Sequence, residues 1–214
     1  MWQKEKNIPL LLAVARMEGL QVGADDRAYQ QLCACGVKYR QRYGDSVISS
    51  IPGVEWSRML FRAMNQDPTK RRPSSEALLN RALKDKGLYR INTLVDLGNW
   101  CSLDFLLPIC VYDAEAIRGE VSVRSGRHGE HYLGHNDQVM NMEGRFVLAD
   151  EDGPFGSPIS DAQRTAVTTA SRHVCLVIFA PEEYGTTHLQ ERLTVFVHRT
   201  LECCGGRVEE QYIL

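Results

Sequence analysis

The spacing of apolar residues changes character at Pro108, and that switch limits the fold more than any other feature. Before it, several segments carry apolar residues at three- and four-residue intervals, which gathers them on one face of a helix. Arg27 to Tyr43 follows a candidate cap at Asp25 and Asp26 and stops at Gly44. Val54 to Asn65 aligns Trp56, Leu60, Phe61 and Met64, Ser74 to Leu83 stops before Gly87, and Asn92 to Ser102 aligns Leu94, Val95, Leu97 and Trp100. After Pro108 come short apolar or alternating runs, Ile109 to Tyr112, Glu120 to Arg124, Gly144 to Ala149 and Val174 to Phe179, separated by glycine and acidic turns. These read as strands. Leu10 to Leu20 reads as a first strand, Leu189 to Cys203 returns to helical spacing, and Arg207 to Leu214 reads as a last strand. The expectation is one α+β domain over residues 1–214, with a β-rich, sandwich-like mixed core flanked by helices. Residues 1–70 would supply a strand and a helical extension, and residues 188–214 a closing helix and strand.

No apolar run approaches the ~20 residues that cross a bilayer, so no membrane role is expected. A cleaved signal around Ala13 to Ala15 fits poorly, because the apolar stretch is short, contains Pro9 and runs straight into Arg16 and Glu18. Seven cysteines without framework spacing or a C-x-x-C pair suit a reducing cytoplasm and argue against a zinc ribbon. The net charge of −2 does not suit a general nucleic-acid coat, and DNA is not an expected partner. Charge is nevertheless uneven: Arg58 to Arg90 holds nine basic and three acidic residues, a balance of +6 that leaves −8 for the remainder. Such an asymmetry steers polyanions to one face. The residues best placed to contact RNA phosphates are Lys70, Arg71, Arg72, Arg81, Lys84 and Lys86, with Trp56, Tyr89 or Trp100 as stacking surfaces. The simpler alternative is two solvated helix faces.

Two stretches carry more than periodicity. Arg72 to Asp113 contains Val95, Asp96 and Asn99 as VD-x-x-N on a helix that leads to a strand ending in Asp113. Ile117 to Asp152 contains Gly119 to Arg124 as G-E-x-x-V-R, a Gly129-Glu130 turn, and Val147 to Asp150 closing an apolar strand. In this order they resemble the B3/B4 module of phenylalanyl-tRNA synthetase β subunits and the free-standing B3/B4-like proteins of bacteria, over residues 72–181. The resemblance implies a β-rich core with helices outside it. It also implies a pocket that, within the synthetase, removes mischarged tyrosine from tRNA. Where the family has a histidine in a P-x-H-A-F-D segment, this chain has Cys110. The family's editing glutamate follows an N-V-L-L stretch, whose counterpart is His173 to Leu176 followed by Val177. Neither family group therefore stands at its family position.

Candidates for a rebuilt site are Asn99, Asp113, Glu130, Asp150, Arg164 and Thr165, since aminoacyl-ester hydrolysis needs little beyond an oriented water and donors for the developing oxyanion. Each has a structural alternative: Asn99 as a mid-helix amide, Asp113 and Asp150 as strand-end turn caps, Glu130 as a solvated turn residue, and Arg164 with Thr165 as part of an ion pair with Asp161. Cys110, following Leu106 to Ile109, reads as a buried inert thiol. His128, His131 and His135 fall among Gly126, Gly129 and Gly134, so they belong to a loop or hairpin, and neither metal nor cofactor is expected. The expected function is a tRNA-associated protein binding an aminoacylated 3′ end, with trans-editing hydrolysis of a mischarged ester as the activity implied. The alternative is a non-catalytic module for a free amino-acid-like molecule or a protein partner.

Overall fold

In the computed structural model, which describes residues 1–23, 26–134 and 137–214, two sheets pack face to face and helices cover one of them. The candidate cap at Asp25 and the third histidine, His135, lie outside the described residues. The covered sheet has β2 (Leu11–Glu18) at its centre beside β9 (Val174–Ala180), flanked by β3 (Ile109–Asp113) and β10 (Arg207–Ile213), in the order β10-β2-β9-β3 and antiparallel throughout. The second sheet runs β1 (Trp2–Lys4), β4 (Val121–Ser125), β7 (Phe146–Asp150) and β8 (Gly153–Gly156), with β1 parallel to β4. A hairpin of β5 (His131–Leu133) and β6 (Val139–Asn141) forms a separate two-stranded sheet, anchored by Tyr132, which is buried in the core between the larger sheets.

Side-chain alternation explains the layering. On β2, Leu12 and Val14 join Tyr112, Val177 and Phe179 to meet Val121, Val123, Leu148 and Phe155 of the second sheet. The intervening Ala13, Ala15 and Met17, with Leu176 and Ile178, meet α4 (Thr93–Phe105) and α5 (Thr186–Cys204). Strand β9 is thus covered on both faces, and all seven of its residues, VCLVIFA, are buried. That is why its sequence is apolar without alternation. A charge placed there would cost several kcal/mol. Helices α1 (Arg27–Tyr43) and α3 (Ser74–Leu83) form an outer layer on α4 through Leu32, Leu79 and Leu103, while α2 (Val54–Ala63) sends Leu60 and Phe61 into the core between the sheets.

Two local features shape the site described next. Asn92 caps α4 by accepting a bond from the Val95 N–H, and the helix runs past Ser102 to Phe105 before Leu106 turns it with φ of 56°. A left-handed leucine is strained, and full burial of Leu106 against α1 and α3 holds it there. At Gly98 α4 packs directly against β3, where a Cβ would sit in ordinary van der Waals contact, 3.4 Å from the Val111 Cγ1. The close approach leaves no spacing layer between helix and strand.

Candidate functional site

Where α4 meets the outer edge of β3, the wall is incomplete. A pocket of about 230 Å³ opens between Ile91, Val95, Gly98 and Asn99 on the helix side, Ile109 to Val111 on the strand, and Asp161, Ala166 and Val167 on a returning segment. Its lining is aliphatic apart from Asn99, Cys110, Asp161 and the backbone. The pairing of β3 with β9 uses the Pro108 carbonyl and the Ala114 N–H, so the even-numbered residues face β9. In an antiparallel ladder the alternate residues then turn their N–H and C=O outward, which aims those of Ile109 at the pocket edge, while farther along the same edge the returning segment bridges to β3 at Tyr112 and Ala166. Asn99 is half-buried and makes no side-chain hydrogen bond among the described residues.

Asp161 is held at the pocket by the fold rather than by any local motif. Tyr112 crosses the inter-sheet core and donates its hydroxyl to Asp161 Oδ1 at 2.6 Å. Isolated bridges tie Tyr112 to Ala166 and Gly156 to Asp161. A Cβ at Gly156 would overlap the Tyr112 hydroxyl, so glycine is required there for the phenol to reach its partner. Burial, and then the negative charge of Asp161, pushes the Tyr112 phenol and the Cys110 thiol well above their ordinary ranges. Cys110 donates to the Ser157 carbonyl at 3.6 Å and carries no thiolate to act as nucleophile.

The other sequence-predicted residues are placed elsewhere. Asp150 is fully buried as a side chain and accepts from Arg164 at 2.6 and 3.1 Å, from the Arg118 N–H at 2.8 Å and from the Asp152 N–H at 3.0 Å. The Arg164 ion pair is therefore with Asp150 and not with the nearby Asp161, because Asp150 ends β7 directly beneath it. Thr165 is buried and donates to the Ala162 carbonyl. Asp113 caps a turn by accepting from the Glu115 N–H at 3.0 Å and also takes the Ser171 hydroxyl. Glu130 is not a solvated turn residue. It forms a two-point bond with Arg124 at 2.7 and 2.8 Å and accepts the Arg127 N–H, and the Arg124 guanidinium holds its carboxyl below the usual carboxylate range. Asn99, Asp113 and Arg164 share no pocket: Arg164 borders a separate groove with His131, Tyr132 and Gln163. Of the histidines, His128 faces Glu143 and His131 contacts the Gly129 carbonyl on the hairpin side.

The basic residues divide between the two ends of α3. Lys70, Arg71 and Arg72 precede it, and Lys84 and Lys86 follow it. Ten helical residues span ~15 Å. Arg58 is spent on the buried Glu76, at 2.7 and 2.8 Å, and contributes little outward charge. Arg145, from outside the basic segment, compensates: burial lowers its pKa, and the Arg71 charge close by lowers it further. Arg81 lies under the Tyr89 ring with its Cζ 4.1 Å from the centroid. Trp56 packs edge-on to Tyr184, and Trp100 lies beneath Arg199, so both are interior contacts.

Comparisons with known proteins agree with this architecture. The B3/4 domain family matches residues 56–194, wider at both ends than the quoted motifs. Over 105 residues, 48% of this chain, the sequence is 35% identical to the phenylalanine--tRNA ligase beta subunit of Bartonella henselae, of which 13% is covered. The corresponding figures are 38% over 86 residues for Brucella abortus, covering 11% of that subunit, and 30% over 108 residues for Neisseria meningitidis, covering 14%. The chain thus matches a small part of each of these relatives. An N-terminal fragment of the phenylalanyl-tRNA synthetase beta-subunit from Pyrococcus horikoshii shares the fold, with a TM-score of 0.55 at 14% identity, covering 99% of this chain and 53% of that one. Among the described residues no helix is long and apolar enough to cross a membrane. The chain belongs to the B3/4 domain family.

Proposed function

We propose that this protein binds the aminoacylated 3′ end of a tRNA and hydrolyses a mischarged ester there. The observation that carries this reading is the pocket between α4 and the β3 edge. At about 230 Å³ it falls below the ~300 Å³ at which drug-sized sites begin and suits a single amino-acid side chain. Its aliphatic walls exclude water from that side chain, Asp161 offers an acceptor for an α-ammonium, and Asn99 offers a donor for an ester carbonyl. In the reaction, a water oxygen bonds to the ester carbon, the carbon–ribose oxygen bond breaks, and the ribose oxygen takes the proton. A donor aimed at the developing oxyanion accelerates such a step by ~10²–10³. Lys70, Arg71, Arg72, Arg81, Lys84 and Lys86 would take the phosphates and fix the tRNA. The relatives are named as phenylalanine--tRNA ligase beta subunits, which supports a substrate from the same system. Work beside that system would place the protein in the cytoplasm, where its seven free thiols are at home.

A second reading has its own support. With Cys110 buried and Val177 in the core, the groups at the two family positions supply no acid or base. This favours a non-catalytic module holding a free amino-acid-like molecule in the same pocket. Incubation with a panel of mischarged tRNAs separates the two. One member should lose its amino acid faster than its spontaneous rate, and a panel with no accelerated member defeats hydrolysis. Affinity for total tRNA should fall steeply between low and moderate salt, and Arg71→Glu with Arg72→Glu should weaken it at least tenfold. Salt-insensitive binding of a free amino acid would favour the second reading.

A further inference from the structure

The segment between α3 and α4 presents two large apolar side chains to solvent, Tyr89 at 62% and Ile91 at 61% exposure. Its backbone is tied down at successive points. Arg81 Nη2 donates to the Gly87 carbonyl at 2.6 Å, the Tyr29 hydroxyl to the Leu88 carbonyl at 3.1 Å, and the Ile91 N–H to Asp96 Oδ1 at 2.9 Å. Arg90 is ion-paired to Asp26, and Leu88 packs into the outer helical core. An exposed aromatic on a strap held in this way is pre-organised. One face of the Tyr89 ring rests on the Arg81 guanidinium, which leaves the ring's exposure to a second planar partner. Ile91 lines the pocket, and the two residues of chain that separate it from Tyr89 span at most ~7 Å, so the strap that carries the ring continues into the pocket wall.

We infer that the Arg81–Tyr89 pair is a stacking platform for the terminal adenine of the acceptor strand, seated beside the pocket that receives the attached amino acid. This rests on the reading of that pocket only for the identity of the second group. A nucleobase fits better than an apolar protein side chain, because a guanidinium-backed phenol offers a π face and Lys84 and Lys86, both exposed, flank the strap to meet phosphate.

The test uses the trinucleotide CpCpA and its counterpart with an abasic 3′ residue, titrated into the full chain and followed by amide chemical shifts. CpCpA should bind, removal of the terminal base should weaken it about tenfold, and Tyr89→Ala should do the same. Tyr89→Trp should bind as well as the parent, and Tyr89→Leu as poorly as Tyr89→Ala. Equal binding of the abasic strand, no binding of CpCpA, or full binding by Tyr89→Leu would each overturn the platform, the last pointing to a surface for a protein partner. Titration of amino-acid ethyl esters, which lack the base, reads the pocket separately. Tyr89→Ala should leave ester binding unchanged, and an ester that fails to bind the parent counts against the pocket while the trinucleotide still decides the platform.

Discussion

Two polar clusters lie on either side of the segment that returns from β8, and they differ in what their polar atoms still have left to do. At one, Asp150 accepts from the Arg164 guanidinium and from two backbone N–H groups with its side chain wholly buried, and Arg164 also donates to the Ala116 and Gly153 carbonyls. At the other, Asn99 has no hydrogen-bond partner among the described residues and faces a cavity. Both clusters are composed of residue types that do chemistry. Only the second keeps capacity for a ligand, because a carboxylate whose lone pairs are all engaged has nothing to offer a substrate. Asp150 and Arg164 thus hold the fold together, and the proposed recognition falls to the pocket between α4 and β3.

The sharpest break would come from Asp150→Ala. It strips the acceptor from a guanidinium and two N–H groups, and urea unfolding should show a loss of about 3–5 kcal/mol, with ligand affinity of the remaining folded protein unchanged. Glu130→Gln extends the same logic to the Arg124 pair and should cost about 2 kcal/mol at pH 7. Its pH dependence has a definite sign. A carboxyl whose folded pKa is depressed contributes stability above its unfolded value of ~4.3, and that contribution disappears as pH falls through the folded pKa. The stability gap between parent and Glu130→Gln should therefore be full at neutral pH and close in acid, and a gap that widens in acid would contradict the pairing.

On the recognition side, Gly98→Leu fills the pocket from its helical wall. Ester binding measured by calorimetry should drop about 10- to 100-fold, and crowding of the added side chain against Val111 and Ile109 should cost about 1–3 kcal/mol of stability. Asn99→Ala should be the mildest, with stability within ~0.5 kcal/mol of the parent and ester affinity about fivefold lower, the worth of one hydrogen bond. Were Asn99→Ala to destabilise the fold as Asp150→Ala does, the contrast between the clusters would fail.

Much of the fold is visible in the residues alone, for identifiable reasons. The bounds of α1 and α3 follow from Gly44 and Gly87 and from apolar periodicity, and β3 and β9 from unbroken apolar runs after Pro108. Strands β1, β5, β6 and β8 are three or four residues long, and β8 reads GPFG, so none has enough alternation to register. The last turn of α4, past Ser102, escapes notice because Leu103 and Phe105 bury against different neighbours and blur the helical period. Asn99 is legible through its VD-x-x-N context. Asp161 is not, since it sits in irregular chain and reaches the pocket only through the buried Tyr112 hydroxyl and the bridge at Gly156, contacts that no local spacing encodes. Glu130 misleads for a related reason: a glycine turn looks solvated until Arg124 folds back over it.

In the proposed function an aminoacyl group occupies the cavity between α4 and the β3 edge. Titration of a stable 3′-aminoacylamino-adenosine into isotope-labelled protein, with the amide and side-chain shifts mapped, tests it most directly. Perturbations should converge on Gly98, the Asn99 side-chain amide, Val111 and Val167, and should vanish in Gly98→Leu. Shifts confined to the Arg164 groove, or persisting unchanged in Gly98→Leu, would contradict it.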